Sequence, residues 1–285
     1  MIFVTGAGGT VGSEVVRQLE AAGAKFRAAF HSEAKAEVAR ARGIDVVAID
    51  YNRPETLNAA LQSVERLFLL SGGAPDQEVN AVEAAKGAGV KHVVKLSVIG
   101  ADEEAFSFAK LHRASEKAIE QSGLAWTFLR PNGFMQNLVT YSGGTIRAQG
   151  AFYSSVGDAR ISHVDVRDIA AVAVKALTEP GHEGKAYTLT GPEALTYDEM
   201  AGKISTASGR SVSYVNISDA DLKQGLIGAG TPEPYADAYL DLMRHYRTGA
   251  TAKVTDDVRR VTGRDARTFE EYAQDNATAW CSSPR

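Results

Sequence analysis

Four glycines stand close together near the start of the chain, at Gly6, Gly8, Gly9 and Gly12. They follow a short apolar run of strand-forming residues and precede an apolar pattern with helical spacing. A strand, a tight glycine turn and a helix together present helix-start N–H groups to a pyrophosphate, and glycine lets the backbone approach it closely. We therefore predict that this loop binds a dinucleotide, the alternative being a purely structural turn. The predicted loop residues are Gly6, Ala7, Gly8, Gly9, Thr10, Val11 and Gly12.

The residues after the second predicted strand decide which dinucleotide is preferred. A carboxylate at this place accepts from the ribose 2′-OH of NAD and repels the 2′-phosphate of NADP. This chain has His31 and Ser32 there, with Lys35 one helical turn on, and its first nearby carboxylate is Glu33. An imidazole, a hydroxyl and an ammonium suit a 2′-phosphate, so we expect NADP(H), with NAD(H) possible. The alternative is that these are solvated loop and helix-start residues.

Short apolar strands alternate with helical segments up to about residue 131. Strands that are apolar throughout and separated by helices indicate a parallel sheet covered on both faces. The predicted fold is therefore α/β, with a Rossmann-type doubly wound parallel sheet. Because ligands bind at the carboxyl ends of such strands, further cofactor residues are expected after the third and fourth strands, at Asp50, Tyr51, Ser71, Gly72 and Gly73. For Asp50, a helix-capping role is an equal alternative.

Composition and charge narrow the class of protein. The 285 residues are 44% hydrophobic and 23% charged, and the net charge of −4 gives no electrostatic reason to expect nucleic acid or an anionic membrane as a partner. Cys281 is the single cysteine, so neither an internal disulfide nor a cysteine zinc site is expected. The first strand leaves no room for a signal peptide, and no apolar run approaches membrane-spanning length. We expect a cytoplasmic protein that binds no metal.

Five segments carry a resemblance to a known family: residues 4–12, 88–94, 122–135, 161–170 and 181–187. On these segments the chain resembles the NmrA-like group of atypical short-chain dehydrogenases/reductases. Within that group it is similar to the branch of triphenylmethane reductases, azoreductases and type-2 quinone oxidoreductases. The runs at residues 129–135 (Leu-Arg-Pro-Asn-Gly-Phe-Met) and 165–170 (Asp-Val-Arg-Asp-Ile-Ala) are its most specific motifs.

The resemblance implies an NAD(P)-binding domain at residues 1–131, with 157–190 contributing to it. It also implies a smaller α+β substrate-binding lobe at residues 132–156 and 191–285, and neither flavin nor metal. The segments after the fourth and sixth strands would line the nicotinamide side. The cofactor residues carried over after the sixth strand are Pro131, Asn132, Gly133 and Phe134. Relatives usually have an arginine near His31, which this chain lacks.

Ordinary short-chain dehydrogenases donate a proton from the tyrosine of a Tyr-x-x-x-Lys pair on the helix after the fifth strand. Aligned through Glu116, this chain has Phe108 at the tyrosine position and His112 at the lysine position, a departure shared with the dye- and quinone-reducing branch. We expect His112 to be the catalytic proton donor, because the pKa of a histidine lies near neutrality, and Glu116 to pair with it. The alternative is a ribose-binding or packing histidine. Ser97 is expected to hydrogen-bond nicotinamide or substrate.

The residues beyond the sixth strand supply a possible wall for the substrate. The predicted substrate residues, beside Phe134, are Met135, Asn137, Tyr153 and Tyr235, and core packing is an equal alternative for Phe134, Met135 and Tyr153. We expect a flavin-independent NAD(P)H-dependent reductase, monomeric or homodimeric. Its acceptor would be small and aromatic or quinoid (a quinone, azo or triphenylmethane dye), because such acceptors are electrophilic enough to need little acid help. The alternative is a non-catalytic NADP(H)-sensing regulator, as the family's founding member is.

Overall fold

The computed structural model describes residues 1–72 and 75–281, and the chain divides into two compact units. The first unit contains Met1–Glu104, Ala109–Pro131 and Val166–Thr188. The second contains Ala105–Phe108, Asn132–Asp165 and the described residues from Leu189 onward. Each unit is therefore assembled from segments that are distant in sequence.

The described residues form nine strands and twelve α-helices. The strands are β1 Ile2–Val4, β2 Phe26–Ala29, β3 Asp45–Val47, β4 Arg66–Leu69, β5 His92–Leu96, β6 Ala125–Pro131, β7 Ala151–Ser154, β8 Lys185–Leu189 and β9 Ser213–Asn216. The helices are α1 Thr10–Ala21, α2 Glu33–Ala41, α3 Pro54–Ala60, α4 Pro75–Gly87, α5 Ser107–Ser122, α6 Gly143–Gln149, α7 Val166–Thr178, α8 Tyr197–Ser208, α9 Asp219–Gly228, α10 Glu233–Arg247, α11 Asp257–Thr262 and α12 Phe269–Asp275. A π-helical turn spans Leu138–Ser142, and 3₁₀ turns span Ala250–Ala252 and Ala277–Trp280.

Seven strands form one sheet, in the order β3-β2-β1-β4-β5-β6-β8. β1 pairs in parallel with both β2 and β4, with Val4 opposite Ala28 on one side and Phe68 on the other. The β2–β3, β4–β5 and β5–β6 pairs are also parallel. The predicted doubly wound α/β fold is confirmed, and β8 adds an edge strand to the six expected up to residue 131. The strand order reverses between β1 and β4, which is where such sheets bind ligands.

The sheet of the first unit is buried beneath amphipathic helices. Val15, Val16 and Leu19 recur at helical spacing on α1 and are at most 4% exposed. On the sheet, Phe68 of β4 and Val94 of β5 are fully buried. Burying each such side chain contributes about 1.5–3 kcal/mol, so the apolar period that predicts these elements also holds them in place.

The second unit has its own small sheet and core. β7 and β9 pair in parallel, with Phe152 opposite Tyr214. The core around them includes Met200 of α8 and Met243 of α10, both at most 1% exposed. α8 begins with a capping box in which Thr196 accepts from the Glu199 N–H and the Glu199 side chain accepts from the Thr196 N–H; such a cap stabilises a helix start by about 1 kcal/mol.

Tertiary packing decides the local structure of two further segments of the second unit. The Gly/Ser-rich stretch at residues 142–144 is helical, because the flanking Leu138 and Ile146 are buried in the core and outweigh the glycines. The last helix, α12, ends at Asp275 and gives way to a 3₁₀ turn. That turn lets the buried Trp280 indole donate to the Ala273 carbonyl at 3.0 Å.

Candidate active site

The glycine loop joins the end of β1 to the start of α1. Gly6 has φ +62°, in the left-handed region that favours glycine. A Cβ on Gly12 would lie 2.1 Å from the Gly6 carbonyl oxygen, so a larger residue would displace the loop. α1 begins at Thr10 and has no acidic residue in its first turn, so its positive amide end suits an anion. The loop therefore fits a pyrophosphate.

The glycine loop forms one wall of a cavity of about 890 Å³ within the first unit. Most of its walls are the segments that follow β1, β2, β3 and β4, at the carboxyl edge of the sheet. The lining residues are Gly6, Gly8, Gly9, Ala29, Phe30, His31, Ser32, Lys35, Ile49, Asp50, Tyr51, Asn52, Leu70, Ser71, Gly72 and Gln77. Both its volume and its place at the strand-order reversal fit a dinucleotide.

The residues predicted to select the dinucleotide meet at one corner of this cavity. Ser32 caps α2 and accepts from the Lys35 N–H at 3.5 Å. The Lys35 ammonium donates to the Gly8 carbonyl at 2.5 Å, which places its charge beside the glycine loop. Glu33, the nearest carboxylate in sequence, is bound by Arg40 at 2.6 Å. With His31 also in the wall, this corner presents the donors that a 2′-phosphate needs.

The residues after β3 and β4 are tied to each other around the cavity. Asp50 accepts from the Asn52 N–H at 2.9 Å, so it stabilises a turn; the residue at the N-cap of α3 is Arg53. The Tyr51 hydroxyl donates to the Leu70 carbonyl at 2.9 Å, and burial raises the pKa of Tyr51 to about 12. Asp50 and Tyr51 thus line the cavity as rigid wall residues. Gly73, also predicted here, lies outside the described residues.

Three predicted cofactor residues have side chains that point into the protein. Ala7 and Val11 are at most 2% exposed, so only their backbone can meet a ligand. Ser97 is 3% exposed and donates its hydroxyl to Glu116 at 2.6 Å. This bond commits the single proton of the hydroxyl inside the first unit; the expected contact of Ser97 with nicotinamide or substrate stays a prediction.

His112 on α5 lies against a buried lysine. Lys95 Nζ is 3.2 Å from His112 Nδ1, and it also contacts the Leu96 carbonyl and the Glu78 carboxylate, both at 2.7 Å. Burial and the Lys95 charge lower the pKa of His112 to about 3, against the opposing influence of Glu78. The premise of a near-neutral pKa is therefore wrong in this fold, and His112 is neutral at pH 7. Its catalytic role stays a prediction.

Glu116 was expected to pair with His112, and the structure gives it other partners. Arg130 binds it through two nitrogens, at 3.0 and 2.8 Å, and Arg113 and Ser97 also donate to it. The carboxylate is fully buried. The expected pairing with His112 is wrong, because Glu116 already serves to anchor α5 to β6.

The segment after β6 is held by a buried asparagine. Asn132 is 2% exposed; its amide nitrogen donates to the Ser162 hydroxyl and the Thr251 carbonyl, each at 2.9 Å, and its oxygen accepts from the Gly133 N–H. These bonds use both N–H donors of the side chain inside the second unit, and its predicted contact with the cofactor stays a prediction. Pro131 is buried and accepts from the Ile99 N–H at 2.9 Å.

A second, smaller cavity of about 50 Å³ lies within the second unit. Its walls are mainly aromatic and carry no ionised group at neutral pH. They consist of Phe134, Asn137, Leu138, Tyr141, Ser142, Phe152, Tyr153, Ser154, His163, Tyr197, Tyr239, Leu242, Met243 and Tyr246. Burial raises the pKa of Tyr239 to about 12 and lowers that of His163 to about 4. The Tyr239 hydroxyl therefore stays protonated and can donate a hydrogen bond, and the His163 imidazole stays neutral at pH 7.

The predicted substrate residues divide between this small cavity and other places. Phe134, Asn137 and Tyr153 line the cavity. Met135 is 1% exposed and belongs to the core of the second unit, so its expected place on a substrate wall is wrong and the packing alternative holds. Tyr235 is half exposed, with its ring 5.2 Å from the Phe108 ring.

Two sets of residues in these sites were missed from the sequence. Lys95 and Glu78 are both buried and form an ion pair. The sequence carries a signal for Lys95, because a lysine inside a strand that is covered on both faces must find a partner for its charge. His163 and Tyr246 gave no such signal, since they come together only in the folded unit.

Within residues 1–72 and 75–281, no group of three or more His, Cys, Asp or Glu side chains is placed to hold a metal ion. Nor does any helix there have the length and apolar character needed to cross a membrane.

Comparison with known proteins gives consistent matches along the chain. The model of the NmrA-like family matches residues 1–273. The NAD(P)H azoreductase of Xenophilus azovorans is 44% identical over 284 residues, covering 98% of this chain and 99% of that protein. The NADPH complex of an Escherichia coli NADPH-dependent quinone oxidoreductase superposes with a TM-score of 0.87 at 32% identity, over 96% of this chain and 99% of that one. The NADP(H) complex of a Citrobacter sp. triphenylmethane reductase gives 0.84 at 31% identity, over 97% and 99%.

Proposed function

This chain belongs to the NmrA-like family, and we propose that it is a flavin-independent NAD(P)H-dependent reductase that transfers hydride to an electrophilic, conjugated acceptor. The match along residues 1–273 bears out the resemblance seen in the sequence. The named activities of the relatives, on azo compounds, quinones and triphenylmethane dyes, support an aromatic or quinoid acceptor.

The observation that carries the proposal is the large cavity of the first unit. Its glycine loop, its helix amide end and its basic corner at Lys35 are the three features that a phosphorylated dinucleotide requires. Relatives with NADPH or NADP(H) bound support the same cofactor. NADP(H) is the favoured form because the acid that would select NAD(H) is absent from the position of His31.

The chain's residues bind and orient the two reactants. When bound, NAD(P)H supplies the hydride. The loop around Gly6 and Gly12 would hold the pyrophosphate, and Lys35 with His31 and Ser32 would hold the 2′-phosphate. Orientation supplies most of the rate, because an electrophilic acceptor reacts once donor and acceptor atoms are in contact.

The absence of a tyrosine proton donor limits the acceptor. Phe108 carries no hydroxyl, and the lowered pKa of His112 leaves no imidazolium to protonate a carbonyl oxygen at pH 7. Simple ketones need such an acid, because charge develops on oxygen as hydride arrives. Quinones, azo compounds and triarylmethyl cations are reduced with less acid help, so these are the proposed acceptors.

The small aromatic cavity of the second unit is the proposed contact for one end of the acceptor. At about 50 Å³ it is too small for a whole dye and admits one terminal group. Phe134 and Tyr153 would contact an aromatic edge, and Asn137 would bond an oxygen or nitrogen on it. Because its walls carry no ionised group, this end of the acceptor is expected to be uncharged.

The proposal is tested by mixing the purified protein with NADPH or NADH and a panel of quinones, azo dyes and triphenylmethane dyes. The absorbance of the reduced nicotinamide reports turnover. We expect oxidation with several members of the panel and a higher kcat/KM for NADPH. Gly12→Val is the matched control, since its side chain would enter the loop and remove turnover with every acceptor.

A second outcome would favour the other candidate function. Tight NADP(H) binding by calorimetry with no oxidation across the panel would contradict the reductase and indicate a regulator that senses NADP(H). The absence of the Tyr-x-x-x-Lys pair at Phe108 and His112 is compatible with that candidate. The cytoplasmic location and the monomeric or homodimeric state stay predictions.

A further inference from the structure

Lys95 is a buried lysine whose three donors all have partners in the first unit. The side chain is fully buried in the middle of the sheet. Its ammonium contacts the Leu96 carbonyl at 2.7 Å, Glu78 Oε2 at 2.7 Å and His112 Nδ1 at 3.2 Å. An ammonium has three N–H donors and no acceptor, so these three contacts use all of its hydrogen-bonding capacity.

Glu78 holds the ammonium in this place. It is 3% exposed, and the Lys95 charge and hydrogen bond outweigh its burial and keep its pKa below the ordinary value. Its second oxygen accepts from the Ser71 hydroxyl at 3.1 Å and the Ser71 N–H at 3.3 Å. A lysine without this carboxylate would lose its charge on burial. Ser71 lines the large cavity, so the ion pair connects the cavity wall to His112.

The contact between Lys95 and His112 decides where the histidine carries its proton. A protonated lysine can only donate, so Nδ1 of His112 must accept. In a neutral imidazole one nitrogen accepts and the other donates. The proton of His112 therefore sits on Nε2, and the ring offers an N–H donor there.

We propose that Lys95, anchored by Glu78, is a positioning residue that holds His112 as a neutral imidazole with its proton on Nε2. His112 then acts as a hydrogen-bond donor to a ligand oxygen, either a ribose hydroxyl of the cofactor or an oxygen of the acceptor. The inference rests on the proposed function and replaces the imidazolium acid expected from the sequence. A neutral imidazole is a useful donor because it polarises an oxygen without a change of protonation.

The charged groups that face the imidazole come from two neighbouring elements. They are Lys95 of β5 and Glu78 of α4. On its own helix, the carboxylate of Glu116 is occupied by Arg130, Arg113 and Ser97. The positive charge of Lys95 and the burial of the ring both oppose protonation, and together they lower the pKa of His112 to about 3. The imidazole should therefore stay neutral from pH 5 to pH 8.

Nitrogen NMR of the cofactor-free protein, with labelled histidine, tests the tautomer without any turnover. We expect the His112 signals of a neutral ring protonated on Nε2, unchanged between pH 5 and 8. Lys95→Met should produce a mixture of tautomers and a pKa raised toward the ordinary value, and Lys95→Arg should restore the wild-type signals. Lys91→Met is the matched control, because this lysine pairs with Glu65 on the surface and is 74% exposed. A wild-type ring protonated on Nδ1, or Lys95→Met spectra identical to wild type, would overturn the proposal.

The unpaired Glu78 could unfold the single variant, so a second variant is required. Lys95→Met with Glu78→Leu removes both charges, and buried pairs replaced by apolar side chains often keep their stability. The same loss of the Nε2 tautomer is expected in this double variant. A double variant that keeps the wild-type tautomer would contradict the role given to Lys95.

Ligand titrations separate the two sources of the oxygen. A shift of the His112 Nε2–H signal with NADP⁺ alone would assign the ribose. A shift only when a quinone is added with NADP⁺ would assign the acceptor, and no shift in either titration would contradict donation to a ligand. These readings do not depend on turnover, so they hold even if the reductase proposal fails.

The pH dependence of kcat tests the same proposal by kinetics. If His112 is a neutral donor, kcat should change less than twofold from pH 5 to 8. In Lys95→Met, kcat should fall about tenfold at constant KM, because the His112 donor is no longer aligned. An imidazolium acid would instead lose about tenfold in rate per pH unit over this range. A tenfold loss per unit would overturn the proposal.

Discussion

Lys35 is the residue whose charge most directly separates the two dinucleotides. Its ammonium lies 2.5 Å from the Gly8 carbonyl, and it lines the cavity with His31 and Ser32. In Lys35→Met we expect the Kd for NADP⁺, measured by calorimetry, to rise at least about tenfold, since a hydrogen bond to a charged group contributes about 1.5–3 kcal/mol. The Kd for NAD⁺ should change less than twofold.

The matched control for Lys35 is Lys86→Met, which removes an exposed lysine from the last turn of α4. It should leave both dissociation constants unchanged. Equal weakening of NADP⁺ and NAD⁺ in Lys35→Met would show that the lysine supports the loop and does not recognise the 2′-phosphate.

His163 makes stability depend on pH. Burial lowers its pKa to about 4, against about 6.5 in an unfolded chain. Between these values the unfolded state binds the extra proton, so the free energy of unfolding falls as the pH is lowered from 6.5 to 4, by about 1.4 kcal/mol per pH unit for this group. Urea titrations that follow fluorescence should show a shallower fall in His163→Gln. His112 also contributes to this pH dependence in the wild type, so the difference in the free energy of unfolding between wild type and His163→Gln isolates the contribution of His163. Identical pH dependence in the two proteins would contradict the assignment to His163.

The turn between β1 and α1 decides whether the cofactor can bind. A methyl group on Gly12 would lie 2.1 Å from the Gly6 carbonyl oxygen, so Gly12→Ala should displace the loop, weaken NADP⁺ binding at least a hundredfold and destabilise the protein by about 1–3 kcal/mol. Gly202→Ala, inside α8, is the control because nothing lies within 4 Å of its new methyl. It should stabilise the protein by about 0.5–1 kcal/mol. Equal effects from both variants, in calorimetry and urea unfolding, would contradict the close approach.

Elements with a strong local pattern could be predicted from the sequence. β1, the glycine loop and α1 follow one another in a row, and each has its own period or turn signal. β7 escaped prediction because its four residues pair with β9, some sixty residues later. The helix at Gly143 escaped because glycine argues against a helix locally, whereas the burial of Ile146 is a tertiary effect.

Site residues that contact a ligand through their backbone could be predicted from the sequence. Residues whose role depends on contacts between side chains could be predicted less well. The glycine loop could be predicted because the spacing of its glycines is visible in the sequence. The partners of His112 and Glu116 were not, because Lys95 and Arg130 lie on other elements that only the folded sheet brings near. For the same reason the pKa of His112 departs from its ordinary value.

Bound cofactor should stabilise some segments of the chain and leave others unchanged. A ligand at a hundred times its Kd adds about 2.7 kcal/mol to the folded state that binds it. With saturating NADP⁺, hydrogen exchange followed by mass spectrometry should slow at residues 6–12, 30–35, 49–52 and 70–72, which include most of the residues that line the large cavity. Peptides of β7 and β9 in the second unit are the internal control. Protection spread evenly along the chain would contradict the assignment of the cavity.

We propose that hydride passes directly from the nicotinamide to the acceptor, with no flavin between them. NADPH deuterated at the transferred position, supplied with a triarylmethyl dye, tests this transfer, because hydride added to the central carbon of the dye stays there. Mass spectrometry of the colourless product should show one deuterium per molecule. Product without deuterium would contradict the claim, since a flavin would exchange the label with water; cofactor binding without any reduced dye or quinone would contradict it as well.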